Sequence, residues 1–273
     1  MKPMRRSRVL ERLREGEIAT CMKINLADAR VVEIAALAGF DCVWPDLEHI
    51  ANDLSVIEKM VWAAKAHDTD VLTRVPRGSY SDLVHPLELD STGIMVPHVM
   101  DLEDAQRVVW QTRFHPLGRR ALDGGNADGR YGFLPMDSYL ADANDQRMLV
   151  LQIEDPEPMT YLDEIAALPG VDMLFFGPGD FSQGIGAPGV WDDPRLAEAR
   201  AQVAQAARRH GKFAGTVGSL NSADELISLG YSFISLGADV VGLGVYMAEA
   251  IAAFTPQTPA DGCASVYTDG NPE

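Results

Sequence analysis

Short apolar runs alternate along the chain with segments whose apolar positions recur every three or four residues. The runs predict strands at Ile18–Ile24, Phe40–Pro45, Val71–Val75, Gly93–Val99, Met148–Ile153, Met173–Phe176, Phe213–Val217 and Tyr231–Leu236. The periodic segments predict helices at Asp28–Ala38, Leu54–Ala66, Ser81–Leu89, Leu102–Gln111, Met159–Leu168, Pro194–Arg209, Ser222–Leu229 and Val240–Ala253. A short amphipathic helix, Val9–Arg14, precedes them. The strands are apolar on both faces, as strands buried in a parallel sheet are. Gly39, Gly170, Gly211 and Gly230 punctuate returns from helix to strand, and Asp28, Asp101 and Asn221 stand at N-cap positions. Eight strand–helix units in one chain predict an α/β fold, a closed (β/α)8 TIM barrel. No G-x-G-x-x-G opens a helix after the first strand, which counts against a dinucleotide fold.

Two stretches break the alternation. Residues 113–147 are long for a connection and carry Arg113, Arg119, Arg120 and Arg130 among several glycines. Residues 255–273 are rich in Pro, Gly, Thr and Asp and read as a tail, or as a segment packing on a neighbouring subunit. The expected organisation is one barrel domain over residues 1–254 followed by that tail.

Composition narrows the function classes. The 273 residues carry 40 acidic and 23 basic side chains, a net charge of −17, which makes nucleic acid and anionic membranes poor partners. No apolar run approaches the ~18 residues of a bilayer span. The N-terminus is basic but lacks an apolar core, so it is not read as a secretory signal. Three scattered cysteines form neither a disulfide framework nor a zinc cluster and fit a reducing cytoplasm.

In a barrel of this kind the chemistry sits at the C-terminal ends of the strands. The second strand delivers Asp46, Glu48 and His49; the third, Arg74; the fourth, His98; the fifth, Gln152 and Glu154; the sixth, Gly177-Pro178-Gly179-Asp180. Glu154 and Asp180 end neighbouring strands, where two carboxylates can share a divalent cation of the Mg²⁺ or Mn²⁺ type; either can instead cap the next helix. Asp46 stands three residues before His49 in a turn, close enough to bond a ring nitrogen and fix its tautomer. Arg74, ending a buried strand, calls for an anion: a substrate carboxylate or enolate, or Asp46 or Glu88. Backbone amides around Gly177, Pro178 and Gly179, beside a helix start, form a candidate carboxylate site.

These residues lie in the motifs GFDCVWPDLEH, LTRVP, TGIMVPHV, HPLGRR, ANDQ, LQIED and LFFGPGDFS. Together they resemble the HpcH/HpaI aldolases, metal-dependent (class II) pyruvate aldolases, from about Leu10 to Ala252. The resemblance implies a divalent metal, Mg²⁺ or Mn²⁺ first and Co²⁺ or Zn²⁺ as alternatives, held by Glu154 and Asp180. It implies His49 as the base with Asp46 as its acidic partner, and Arg74 as the enolate-stabilising cation. It places Gln152 near a metal-bound water, and Gly177 and Gly179 at the pyruvate carboxylate. Departures surround this core: Leu47 for a glycine, Glu88 for an aspartate, Gly179 for an alanine, Ala121 for a glycine, and the polar Lys23 and Asn25 at the end of the first strand.

The reaction so implied is reversible cleavage of a 4-hydroxy-2-oxo acid to pyruvate and an aldehyde. No lysine is needed for a Schiff base. Two alternatives stand beside it. One is a C–C lyase acting on a CoA thioester, of the citrate lyase β-subunit/malyl-CoA lyase type, with the arginines of residues 113–130 serving the nucleotide. The other is a non-catalytic barrel that binds metal and oxo acid. The resemblance also implies a homo-oligomer, commonly a hexamer, with the last helix packing on a partner.

Overall fold

The computed structural model describes residues 3–254. Eight parallel strands close into a barrel in chain order: β1 (Ala19–Ile24), β2 (Cys42–Pro45), β3 (Asp70–Arg74), β4 (Gly93–Val96), β5 (Met148–Ile153), β6 (Met173–Phe176), β7 (Phe213–Gly218) and β8 (Phe233–Ala238). The predicted (β/α)8 barrel is therefore the observed fold. Strands β2 to β6 are buried along their whole length, which accounts for their lack of apolar–polar alternation. The tail assigned to residues 255–273 lies outside the described residues.

Alternate residues of each strand point inward. Cys21, Trp44, Leu72, Met95, Val150, Met173, Phe175 and Phe233 pack into one interior cluster, joined by Val9, Leu10 and Leu13 of helix α1 (Arg8–Arg14). Helix α1 thus plugs the end of the barrel where the strands begin. Asp70, the first residue of β3, fixes it there by accepting from the Ser7 hydroxyl at 2.6 Å and the Val9 amide at 3.0 Å. Such plugging leaves the opposite end for chemistry.

The outward residues meet the helices. Ile94, Leu149, Ile153, Leu174 and Ile234 pack against Val108, Ile165, Leu196, Val203 and Leu226. Burial of each large side chain contributes roughly 1.5–3 kcal/mol. The helices are α2 (Ala29–Leu37), α3 (Leu54–Ala66), α4 (Tyr80–Glu88), α5 (Leu102–Thr112), α6 (Met136–Gln146), α7 (Leu162–Ala167), α8 (Pro178–Gly184), α9 (Pro194–Arg209), α10 (Ala223–Leu229) and α11 (Asp239–Phe254). Asp28 and Asp101 cap α2 and α5 as expected, accepting from Arg30 and Asp104 amides. The α10 cap falls on Ser222 rather than Asn221. Gly39, Gly170, Gly211 and Gly230 all have positive φ (100°, 91°, 65° and 105°), which allows each helix to end where the sequence places it.

The long connection contains structure the pattern did not reveal. Helix α6 packs Tyr139 and Ala143 against Phe114 and Met4. Two arginines assigned to a nucleotide are already engaged. Arg113 donates to the carbonyls of Gly170 and Arg147 and pairs with Asp172, while Arg120 pairs with buried Asp128 at 2.7 Å. They tie the connection to the barrel, which withdraws them from the CoA alternative.

Helix α11 differs from the others. None of its residues is buried, and Val240, Leu243, Val245, Tyr246, Met247, Ile251 and Phe254 are exposed. Among the described residues, no helix is long and apolar enough to cross a membrane.

Candidate active site

The open end of the barrel collects the polar side chains that interrupt the strand ends. β2 and β3 bring the first group together. Asp46 follows β2 and forms a bridge with Arg74, the last residue of β3. The buried Asp46 carboxylate accepts from Arg74 Nε at 3.0 Å and again from Nη2, a forked pairing that fixes the guanidinium plane. Lys23, ending the inward face of β1, places Nζ 3.3 Å from the same carboxylate. Both cations lie against the Trp44 indole, Lys23 Nζ at 5.2 Å and the Arg74 guanidinium at 5.0 Å from the ring centroid. Burial alone would raise the Asp46 carboxyl. The bonds and charge of Arg74, with Lys23 and the Glu48 amide, outweigh it and hold the carboxyl at about 2.

This corrects one expectation. Asp46 meets His49 through the His49 backbone amide, at 3.4 Å, and its carboxylate oxygens are taken up by Arg74, Lys23 and the Glu48 amide. The carboxylate nearest the His49 ring is Glu48, whose Oε2 lies 3.6 Å from Nε2. Glu48 also approaches Arg74 Nη1 at 3.1 Å and His98 Nε2 at 3.6 Å. His49 itself stays half-exposed at the mouth. The alternative that paired Arg74 with Asp46, rather than Glu88, is the arrangement found.

The second group comes from β4, β5 and β6. Glu154, just past β5, is buried and accepts from the His98 amide at 2.8 Å and from the Gln152 side-chain amide. Gln152 and Glu154 therefore share a face, as their spacing predicts. Burial lifts the Glu154 carboxyl to about 7, helped by the charges of Asp180 and Glu48 and opposed by His98. His98 has left-handed backbone (φ 47°), which turns its amide to Glu154 and its ring to Asp155, 2.8 Å away. Burial lowers a histidine, but Asp155, Glu154 and Glu48 outweigh it and raise His98 above its ordinary value. His98 stood out in the sequence only by its place at a strand end; the bend that aims its amide had no sequence signal.

Gly177 has a different role from the one expected. Its amide donates to the Ile153 carbonyl at 3.0 Å, so it is not free for a substrate. A side chain is what the position excludes: a Cβ there would stand 2.7 Å from both Cβ and Oε2 of Glu154 and 3.0 Å from Gln152 Nε2. Gly177 makes room for the carboxylate. Pro178 opens helix α8, and the amides of Gly179 and Asp180 in its first turn have no acceptor within the helix. Gly179 is exposed, and nothing lies within 4 Å of where its Cβ would be.

Among the described residues no group of three or more His, Cys, Asp or Glu side chains is arranged to hold a metal. The chemistry of the donors nevertheless fits a divalent ion carried by two carboxylates, with water or substrate completing its shell. Glu154 is buried against neutral amide donors, its carboxyl is driven up to about 7, and the charge of Asp180 adds to that. Gln152 Oε1 is a buried acceptor without a hydrogen-bond partner. The Asp180 and Glu48 carboxylates add negative charge beside Glu154, which the His98 ring offsets in part and a divalent cation would offset further.

The open end of this parallel (β/α)8 barrel thus gathers Glu154, Asp180, an Asp46-locked Arg74, His49 and His98 at the strand ends, where barrels of this kind carry their chemistry. Residues 20–243 match the family model HpcH/HpaI aldolase/citrate lyase, and the chain belongs to that family. It is 31% identical over 265 residues to a hydroxypyruvate/pyruvate aldolase of Pseudomonas aeruginosa, covering 95% of this chain and 97% of that one. It is 29% identical over 233 residues to the 2-keto-3-deoxy-L-rhamnonate aldolase of Escherichia coli K12, covering 85% and 86%. Among solved structures, an HpcH/HpaI aldolase from Desulfitobacterium hafniense superposes with a TM-score of 0.86 at 26% identity, covering 93% of this chain and 98% of that one.

Proposed function

We propose that the protein is a divalent-metal-dependent aldolase that reversibly cleaves a 4-hydroxy-2-oxo acid to pyruvate and an aldehyde. The observation that carries this reading is the buried, under-neutralised Glu154 beside Asp180, at the same barrel mouth as a carboxylate-locked Arg74. Glu154 and Asp180 would hold the ion, Mg²⁺ or Mn²⁺ by their all-oxygen chemistry, with Co²⁺ or Zn²⁺ as substitutes. When bound, it supplies Lewis-acid polarisation of the 2-oxo group.

The remaining work falls to the chain's own residues. Arg74, its plane set by Asp46, donates to the oxygen on which enolate charge develops, and a donor held in place beforehand costs no reorganisation. His49 takes the proton of the 4-hydroxyl group and returns one on the reverse path. Glu48 stands beside the His49 ring, with Oε2 3.6 Å from Nε2. The Gly179 and Asp180 amides receive the substrate carboxylate. Gln152 orients Glu154.

The same reading takes the protein as a homo-oligomer. Helix α11 is apolar around its circumference with no residue buried, the pattern of a helix covered by another surface, and a second copy of the chain is its occupant.

Pyruvate release from a 4-hydroxy-2-oxo acid, coupled to lactate dehydrogenase and NADH, tests the activity. Release that a chelator abolishes and Mn²⁺ restores is expected. Release that survives complete metal removal contradicts the metal-dependent route.

A further inference from the structure

Lys23 belongs to none of the roles described so far, yet it is buried at the barrel mouth, with its side chain 5% exposed. A buried ammonium is costly unless it is paired, and its partner here is the carboxylate that also locks Arg74. Trp44 is the common wall for both cations.

The charges at this corner can be counted. Arg74 and Asp46 alone form a neutral pair, and Glu48, 3.1 Å from Arg74 Nη1, brings the group to a net negative charge. An arginine so compensated gives little field to an oxygen on which negative charge is developing. Lys23 restores the balance through Asp46 Oδ2, the oxygen that also accepts from Arg74 Nη2, with Nζ at 3.3 Å.

We propose that Lys23 is a positioning residue for the reaction: it shares Asp46 with Arg74, holds that carboxylate in the forked geometry, and offsets its charge so that Arg74 presents positive potential to the enolate oxygen. This rests on the aldolase reading above. It assigns Lys23 an electrostatic role, with no covalent bond to substrate. The effect is larger on the enolate than on the neutral ketone, because only the enolate places a full charge there. Removing the Lys23 charge therefore lowers kcat more than it raises KM.

The test uses the Mn²⁺-loaded full chain and follows exchange of pyruvate methyl protons in D₂O by NMR. The variants are Lys23→Met, which keeps the stem and removes the charge, and Lys23→Arg, which keeps the charge and cannot form a Schiff base with a ketone. Circular dichroism and thermal melts confirm that each is folded. Lys23→Met is expected to lower the exchange rate at least tenfold with KM for pyruvate within about threefold, and Lys23→Arg to recover most of the loss. Calorimetry with oxalate, a dianionic mimic of the enolate, gives a readout without turnover: Lys23→Met weakens oxalate at least fivefold more than pyruvate. Wild-type exchange matched by a folded Lys23→Met overturns this inference alone. Absence of exchange in the wild type overturns the aldolase reading and this inference together. If Lys23→Met is not folded, the comparison passes to Lys23→Arg: a folded Lys23→Arg that neither exchanges nor favours oxalate contradicts the charge role.

Discussion

The His98 amide donates to Glu154 Oε1 at 2.8 Å from a backbone in the left-handed region. Only glycine, and to a lesser extent asparagine and aspartate, adopts that region without penalty; other L-residues lose about 1–2 kcal/mol. The bend after β4 therefore stores a small strain and spends it on aiming one N–H at a buried carboxylate. His98→Gly relaxes the bend and keeps the amide, whereas His98→Val, β-branched, resists it. Mn²⁺ titration is expected to find His98→Gly within a few-fold of wild type and His98→Val weaker by tenfold or more. Equal affinities for the two variants would separate the His98 amide from the Glu154 site.

Gly177 faces the same carboxylate from β6. Gly177→Ala puts a methyl 2.7 Å from Glu154 Oε2 and Cβ, closer than real Cβ contacts come, so Glu154 must move. Overpacking of this kind costs roughly 1–3 kcal/mol. A lower melting temperature and a Mn²⁺ affinity reduced at least tenfold are expected from thermal melts and calorimetry. Gly179→Ala meets nothing within 4 Å and serves as the control for stability.

Asp46 links the site to acid stability. Its carboxyl lies near 2 in the folded protein against an ordinary 3.8. A carboxyl lowered on folding contributes stability that is complete above 3.8 and disappears as pH falls through about 2, here roughly 2 kcal/mol. Urea unfolding of the wild type is expected to lose that contribution between pH 4 and pH 2. Asp46→Asn leaves Arg74 and Lys23 buried without their carboxylate, a loss of about 3–5 kcal/mol at neutral pH, and flattens the acid limb. An unchanged acid limb in Asp46→Asn would place the responsible carboxyl elsewhere.

The barrel was legible in the sequence because its signal is repeated: short apolar runs recur as strands, and four of the returns end on a glycine, Gly39, Gly170, Gly211 and Gly230. Helix α6 was not, because Met136–Gln146 carries a weak apolar stripe and follows an arginine- and glycine-rich stretch. Helix α8 was hidden behind Gly177-Pro178-Gly179, which reads as a turn although proline at a first helical position is favourable. Among the site residues, the motifs located Glu154, Asp180, Arg74 and His49 at the strand ends. They did not reveal who pairs with whom. Asp46 and His49 are three residues apart, but Arg74, 28 positions away on the next strand, brings a forked guanidinium into contact and wins the carboxylate. Gly177 was read for its amide, when β-pairing had already taken that amide and the missing side chain was the useful part.

Helix α11 carries the assembly prediction. Tyr246 is 69% and Met247 58% exposed on a helix with no buried residue. Light scattering of the full chain is expected to give a multiple of its 29.7 kDa mass, and Tyr246→Asp combined with Met247→Asp to shift it towards a smaller species. A monomer at micromolar concentration in the wild type would contradict the oligomer.

The most direct test of the whole account is metal-dependent enolisation of pyruvate. Proton NMR in D₂O should show loss of the pyruvate methyl signal with Mn²⁺-loaded protein. The exchange should stop on chelation, return on adding Mn²⁺, and fall at least a hundredfold in Glu154→Gln. Exchange that continues undiminished in metal-free protein or in Glu154→Gln, or no exchange by the wild type at any Mn²⁺ level, would contradict it.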